Sequence, residues 1–202
     1  MFELFTVGYS VHPVEQFMEM LNAHGITALC DVRSSPYSRF MPQYNRELLK
    51  EEMVRHRIAY LYLGAELGPR SPDPSCYENG KVQYKRLAAS EIFQRGLARL
   101  RKAMEAQRVA LMCAEKDPIT CHRMILICRN LTGDDIVIRH ILDDGSLEDN
   151  RDAEKRLMKL WKIDPTDLLS TEADRIQRTY DLQAEKIAYT REERQGEGYL
   201  TN

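Results

Sequence analysis

Five apolar runs of strand length recur through residues 1–145, and a stretch long enough for a helix separates each from the next. They are FELFTVG (2–8), ITALCDV (26–32), IAYLYLG (58–64), VALMC (109–113) and DIVIRHIL (135–142). These runs are continuous rather than alternating, which marks strands covered on both faces. Helices between successive strands impose parallel pairing with right-handed crossovers. The expected fold is α/β: a three-layer, open, mostly parallel sheet of about five strands with helices on both faces. Residues 1–145 form this domain, and 146–202 form a C-terminal helical extension.

The connecting segments carry helix signals of their own. In 13–24, Val14, Phe17, Met18 and Leu21 share one face. Pro13 suits the first turn and Gly25 the residue past the end. Asn45 is placed to cap the helix RELLKEEMVRH. Residues 64–86 are rich in Gly, Pro and Ser and read as one long loop, a length typical of lids and binding loops. Residues 87–107 read as a single helix, and 122–133 as another that ends near Gly133. In the extension, Leu157, Leu160 and Trp161 fall on one side of a short helix. Ile176, Tyr180, Ala184 and Ile187 then form a narrow stripe on a longer one. Such a stripe docks on the domain or pairs with a second subunit as a homodimer. The final QGEGYLTN reads as a frayed end.

Charge narrows the partners. A net charge of −2 gives no global attraction to nucleic acid or to an anionic membrane. No apolar run approaches the ~20 residues of a membrane span. The opening MFELFTVGYS lacks the pattern of a secretory signal, so a cytoplasmic location is expected. The five cysteines are then thiols of a reducing compartment.

In open parallel sheets, ligands bind outside the carboxyl ends of the strands. The polar residues sort by that rule. Tyr9, Ser10 and His12 follow the first strand, Asp31 and Arg33 the second, and Cys113, Glu115 and Lys116 the fourth, while His140 closes the fifth. The opposite edge, at Gly25-Ile26, Arg57-Ile58 and Arg108-Val109, is bland. The stretch CAEKDPITCHR (113–123) admits three chemistries. It can bind a small anionic or nucleotide-like ligand through Arg33, Lys116, Arg123, Tyr9, Ser10 and His12, with Asp31, Glu115 or His122 as acid or base. It can hold a metal at Cys113, Cys121 and His122. It can form a reversible disulfide or offer a nucleophile at Cys113 or Cys121. Seven residues separate the two cysteines, unlike the short pairs of structural zinc sites, and neighbours on a helix diverge, so a metal is not favoured. Several residues have plain structural readings: Cys30 and Cys128 as core, Cys76 as incidental, His24 and His56 as helix ends, Asp31–Arg33 as a supporting ion pair. Within 33–44, Arg39, Tyr37, Phe40 and Tyr44 interleave cations with aromatics, as in single-strand nucleic-acid binding. The preferred reading has Phe40 and Tyr44 anchoring the loop to the core.

TVGYSVHPVEQFMEMLNAHGITALCDVRSSPYSR, YLYLGAELG, LMCAEKDPITCHR and RHIL with its following DG together resemble the domain-of-unknown-function 488 family over roughly residues 4–145. The resemblance implies one α/β domain of bacterial or archaeal type and no established activity. The positions matching its motifs are Gly8, Tyr9, Ser10, His12, Asp31, Arg33, Pro36, Leu67, Gly68, Cys113, Glu115, Pro118, Cys121, His122, Arg123 and His140. Gly64-Ala65 departs from the Gly-Gly pair common there. The reading that results is an enzyme, a hydrolase or transferase on a small anionic or nucleotide-like substrate. Its rival is a non-catalytic binding or regulatory module that dimerises through its tail.

Overall fold

The computed structural model describes residues 1–9, 12–131, 133, 135–165 and 170–191. Ser10 and the final QGEGYLTN lie outside the described residues. The elements run β1 (Phe2–Gly8), α1 (Val14–Ala23), β2 (Ala28–Asp31), α2 (Arg46–Arg55), β3 (Ala59–Tyr62) and α3 (Gly64–Leu67). There follow β4 (Tyr77–Glu78), β5 (Lys81–Val82), α4 (Tyr84–Ala89), α5 (Glu91–Ala106), β6 (Val109–Cys113), β7 (Ile136–Ile141), β8 (Leu147–Asp149), α6 (Asn150–Leu160) and α7 (Glu172–Ile187).

The main sheet is six-stranded, in the order β3-β2-β6-β1-β7-β8. Five strands are parallel, and β8 joins antiparallel to β7. The expected α/β sheet is present with one strand more than the apolar runs revealed. β8 is only LED, too short and polar to register as a run; a turn through Asp143–Ser146 folds it back on β7, with Gly145 at φ 81°.

Alternate residues of the central strands feed two cores. Phe5, Val7, Leu29, Ala110 and Met112 pack under α1 and α2. Leu4, Cys30, Leu111 and Cys113 pack with α5, the 123–131 segment and α7. Thr6 and His140, both fully buried polar residues, lie in the two neighbouring strands β1 and β7 and are paired partners in the register.

Several connections differ from expectation. The 64–86 segment is structured: it holds α3, a tight turn at Pro74–Cys76, the β4–β5 hairpin and the start of α4. Asn79 and Gly80 turn that hairpin at φ 49° and 75°, as two-residue loops require. Cys76 is buried beneath it. The single helix expected over 87–107 breaks at Ser90, whose Oγ accepts from Phe93 N and so starts α5. Asn45 does precede α2, yet its side chain makes no cap; Oδ1 accepts from Ser38 N at 2.7 Å and pins the preceding loop. The 122–133 segment is not α-helical: Arg123–Ile127 forms a π-helical turn and Cys128–Asn130 a 3-10 turn. Tyr44 is buried and anchors its loop, whereas Phe40 is 90% exposed and does not.

The stripe of α7 is covered by the chain itself. Tyr180 and Ala184 are buried in the core, with Ile176 and Ile187 packed against it. Gln183 fixes the register by accepting from Trp161 Nε1 at 2.9 Å and donating to Ile119 O at 2.7 Å. In α6, Leu157 is buried and Trp161 packs on the core, but Leu160 stays about half exposed. No helix of the described residues is long and apolar enough to cross a membrane.

Candidate metal centre

The site begins where β1 and β6 end side by side, with Gly8 opposite Cys113. A Cβ on Gly8 would sit 1.9 Å from the carbonyl oxygen of Glu115, so only glycine lets the loop after β6 lie against β1. The chain then reverses. Asp117 accepts from Ile119 N at 3.2 Å, and Pro118 starts a tight turn through Thr120. Cys121 follows in extended conformation (φ −121°, ψ 143°), and only His122 turns helical. The reversal returns Cys121 to Cys113, and the change of backbone state lets Cys121 and His122 face the same point.

Four donor atoms converge there, one each from Cys113, Glu115, Cys121 and His122, all within 4.8 Å of one another. Cys113 Sγ and Cys121 Sγ lie 2.8 and 3.1 Å from the same oxygen, Oε2 of Glu115. His122 Nδ1 is 3.6 Å from Cys113 Sγ and 3.8 Å from Cys121 Sγ. His122 Nε2 stands 3.1 Å from the carbonyl of Val32. A carbonyl only accepts, so Nε2 carries a proton, and Nδ1 is the ring atom turned to the sulfurs. Cys113, Cys121 and His122 are buried, while Glu115 is exposed as a residue and turns its carboxylate inward.

Electrostatics separate the two thiols. Burial pushes Cys113 well up, aided by the neighbouring Cys121 and Glu115. Burial opposes ionisation of Cys121 too, but the hydrogen bond from Cys113 and the charges of Arg123 and His122 carry it well below the ordinary thiol range. Glu115 is raised, first by burial and then by Cys121. His122 is raised despite burial, by its contact with Cys121 and by Glu115. Of the two, Cys121 is the sulfur whose surroundings favour the thiolate, and Cys113 the one they hold protonated.

The other candidates are arranged around this cluster. Arg123 is wholly buried: Nε donates to Thr6 Oγ1 (3.2 Å), NH1 to Glu115 O (2.5 Å), NH2 to Lys116 O (3.0 Å), and its backbone N–H reaches Cys121 Sγ (3.4 Å). Its donors hold the loop. Asp31 and Arg33 form a buried pair, Nε to Oδ1 at 2.9 Å and NH2 to Oδ2 at 2.6 Å, joined by Tyr60 Oη at 2.7 Å. Arg33 also donates to Tyr44 O, and its guanidinium lies over the ring of Tyr9, which stacks on Tyr44. This group adjoins the cluster through Val32 but is satisfied largely within itself. His12 and Lys116 both meet Asp143, His12 at 2.9 Å. Beside them opens a cavity of about 500 Å³ lined by Lys116, Asp117, Leu142, Asp143, Asp144, Glu148 and Arg156. Thr6, Asp143 and Asn150 escaped the sequence reading. A lone threonine in a strand covered on both faces was the available signal for Thr6.

Two thiols, an imidazole and a carboxylate are the donor set of a borderline-soft divalent cation, zinc above all. The cysteine spacing spoke against a metal because short pairs bring their sulfurs together within one tight turn; here the Asp117–Thr120 reversal brings the four donor atoms together over a longer loop.

The molecule is thus an α/β protein with two thiols, an imidazole and a carboxylate clustered at the carboxyl edge of its sheet. The family model described as domain of unknown function DUF488 matches residues 13–129, and the chain belongs to that family. The match spans Asp31, Arg33 and the whole of Cys113–Arg123. No curated protein and no solved structure matches the chain.

Proposed function

We propose that the protein is a metalloenzyme with a zinc-class cation held by Cys113, Cys121 and His122. In this reading Glu115 is the exchangeable fourth donor, and the ligand is a small anionic or nucleotide-like molecule that enters at the carboxyl edge. The carrying observation is the convergence of four donor atoms within 4.8 Å. The oriented His122, the N–H···S contact to Cys121 and the buried arginine behind it support the same assignment. Three buried protein donors and one displaceable position define a catalytic rather than a structural zinc site. Glu115 is the one exposed donor of the four, which suits it to exchange and to proton transfer. A metal held by Cys113, Cys121 and His122 would supply a Lewis acid for a carbonyl or phosphoryl oxygen. An anionic ligand would then meet the cation itself, which fits the engagement of the Arg123 side-chain nitrogens by Thr6 and the loop carbonyls. The rival, a module dimerising through α7, has less support because the α7 stripe is packed on its own core.

The test is elemental analysis of untagged protein purified without chelator and saturated with zinc. About one ion per chain is expected, falling to near zero in the C113S/C121S double variant. E115Q is expected to keep the metal and to lose turnover in a screen of phosphoesters and nucleotides. A wild-type chain that stays substoichiometric for zinc, cobalt and iron, or a double variant that retains the ion, overturns the assignment.

A further inference from the structure

Behind the cluster runs a chain of side-chain hydrogen bonds that crosses the sheet. Arg123 Nε donates to Thr6 Oγ1 at 3.2 Å. Thr6 Oγ1 lies 2.8 Å from His140 Nδ1, and His140 Nε2 lies 3.1 Å from Asn150 Oδ1. Asn150 Nδ2 donates to Glu154 Oε1 at 2.9 Å, and Tyr180 Oη donates to that same oxygen at 2.9 Å. Thr6, His140 and Arg123 are wholly buried, and Asn150 nearly so.

The donor directions can be assigned along its whole length. Arg123 only donates, so Thr6 accepts from it and its own proton is free for His140 Nδ1. A neutral imidazole that accepts at Nδ1 donates at Nε2, and Asn150 Oδ1 can only accept. Asn150 then donates onward to the carboxylate. Every bond points from a cation at the cluster to an anion in α6, an arrangement in which each bond polarises the next. The two ends differ in access. Arg123 is sealed in the core, whereas Asn150, Glu154 and Tyr180 belong to the wall of a cavity of about 1020 Å³ between β7, α6 and α7.

We propose that Thr6, His140, Asn150 and Glu154 are positioning residues of the metal centre, acting through Arg123. Resting on the metal assignment above, this gives the cluster an input at α6, on the far side of β7. Arg123 holds the carbonyls of Glu115 and Lys116 with one guanidinium, and its backbone N–H holds the Cys121 sulfur. The chain fixes that guanidinium from behind. Loss of any link releases Arg123 to another rotamer and loosens two of the four donors, Glu115 and Cys121. Outer residues of this kind govern metal affinity without touching the ion.

Three variants and two readouts test it. T6V keeps the shape of the side chain and removes the hydroxyl, T6S restores the hydroxyl, and E154A cuts the distal end at a half-buried position. Zinc affinity is measured by competition with a chromophoric chelator, and amide exchange is followed in the peptide covering 114–123. T6V is expected to bind zinc about 10–100-fold more weakly, with E154A weakened in the same direction and T6S close to wild type. Amide exchange at 114–123 quickens in T6V and E154A even without metal. A T6V chain with wild-type affinity and exchange overturns the proposal, as does T6S that fails to restore them. An E154A chain indistinguishable from wild type overturns the reach to α6. Wild type that binds no zinc overturns the metal assignment, and the exchange measurement still decides the hydrogen-bond chain by itself.

Discussion

Arg123 has the largest wholly buried side chain among the described residues, yet its side-chain partners are two carbonyls and a hydroxyl rather than a carboxylate. A buried guanidinium is costly without an opposite charge nearby, and the charge of Arg123 helps hold the Cys121 thiol, two residues earlier, well below the ordinary range. Two neighbours carry predictions at this scale. A methyl group on Gly8 would meet the Glu115 carbonyl, which is backbone and cannot swing aside. G8A is therefore expected to cost about 1–3 kcal/mol in urea unfolding. It should also weaken zinc binding, because Glu115 must move; unchanged affinity would count against the position assigned to that loop. His140 gives the second. Burial, and then the charge of Arg123, lowers its imidazole from 6.5 to about 4. Between those values the unfolded chain binds the more protons, so stability present above pH 6.5 is lost as pH falls toward 4. The loss is about 3 kcal/mol by the usual conversion. Urea midpoints at pH 7, 5.5 and 4.5 should fall accordingly in wild type and flatten in H140Q; parallel slopes would refute the role of His140.

Among elements, the strands were legible because continuous apolar runs have few other uses, and β1 and β6 fall where FELFTVG and VALMC predicted them. Periodicity failed where a local hydrogen bond competed with it. Ser90 interrupts an otherwise helical stretch by capping α5. The π-helical turn at Arg123–Ile127 has the apolar content of a helix, and all five of its residues, Arg123 included, are buried. The candidate site was legible in its residues but not in its geometry. All four donors could be named, Cys113 and Glu115 from the sheet-edge rule and Cys121 and His122 from the stretch that follows, whereas the reversal at Asp117–Thr120 that unites them depends on an Asx turn of modest energy and leaves no periodic trace. The α7 stripe posed a choice between docking and pairing, and here the contacts are internal: Tyr180 sits in the core and donates to Glu154. Y180A is expected to destabilise the chain by about 3–5 kcal/mol, the range for truncating a buried aromatic. Its sedimentation mass should match wild type. A variant of unchanged stability and altered mass would show instead that Tyr180 serves an interface between subunits.

At the scale of the whole molecule, the sheet divides labour between its edges. The amino edge is closed by Ile26 and Ile58, both buried. The carboxyl edge gathers Cys113, Glu115, His122, Asp31 and Arg33 at the ends of two adjacent strands, β6 and β2. A cation at this junction would cross-link the loop after β6 to the turn that follows it, and through His122 to the carbonyl of Val32 after β2. Binding energy at such a place is stability of the whole domain, since the unfolded chain has no equivalent site. Zinc at 100 times its dissociation constant adds about 2.7 kcal/mol to the folded state. For a chain of this size each kcal/mol moves the melting temperature by about 2–4 °C, so zinc should raise it by about 5–10 °C. Calorimetry of protein stripped with chelator, then titrated with zinc, measures this directly. Magnesium, a hard cation that prefers oxygen donors, is expected to leave the melting temperature where it was. C121S should abolish the zinc shift, and E115Q should retain most of it, because three buried donors remain. Equal shifts with zinc and magnesium, or a full shift in C121S, would place the bound ion elsewhere and remove the cluster from the chemistry of this protein.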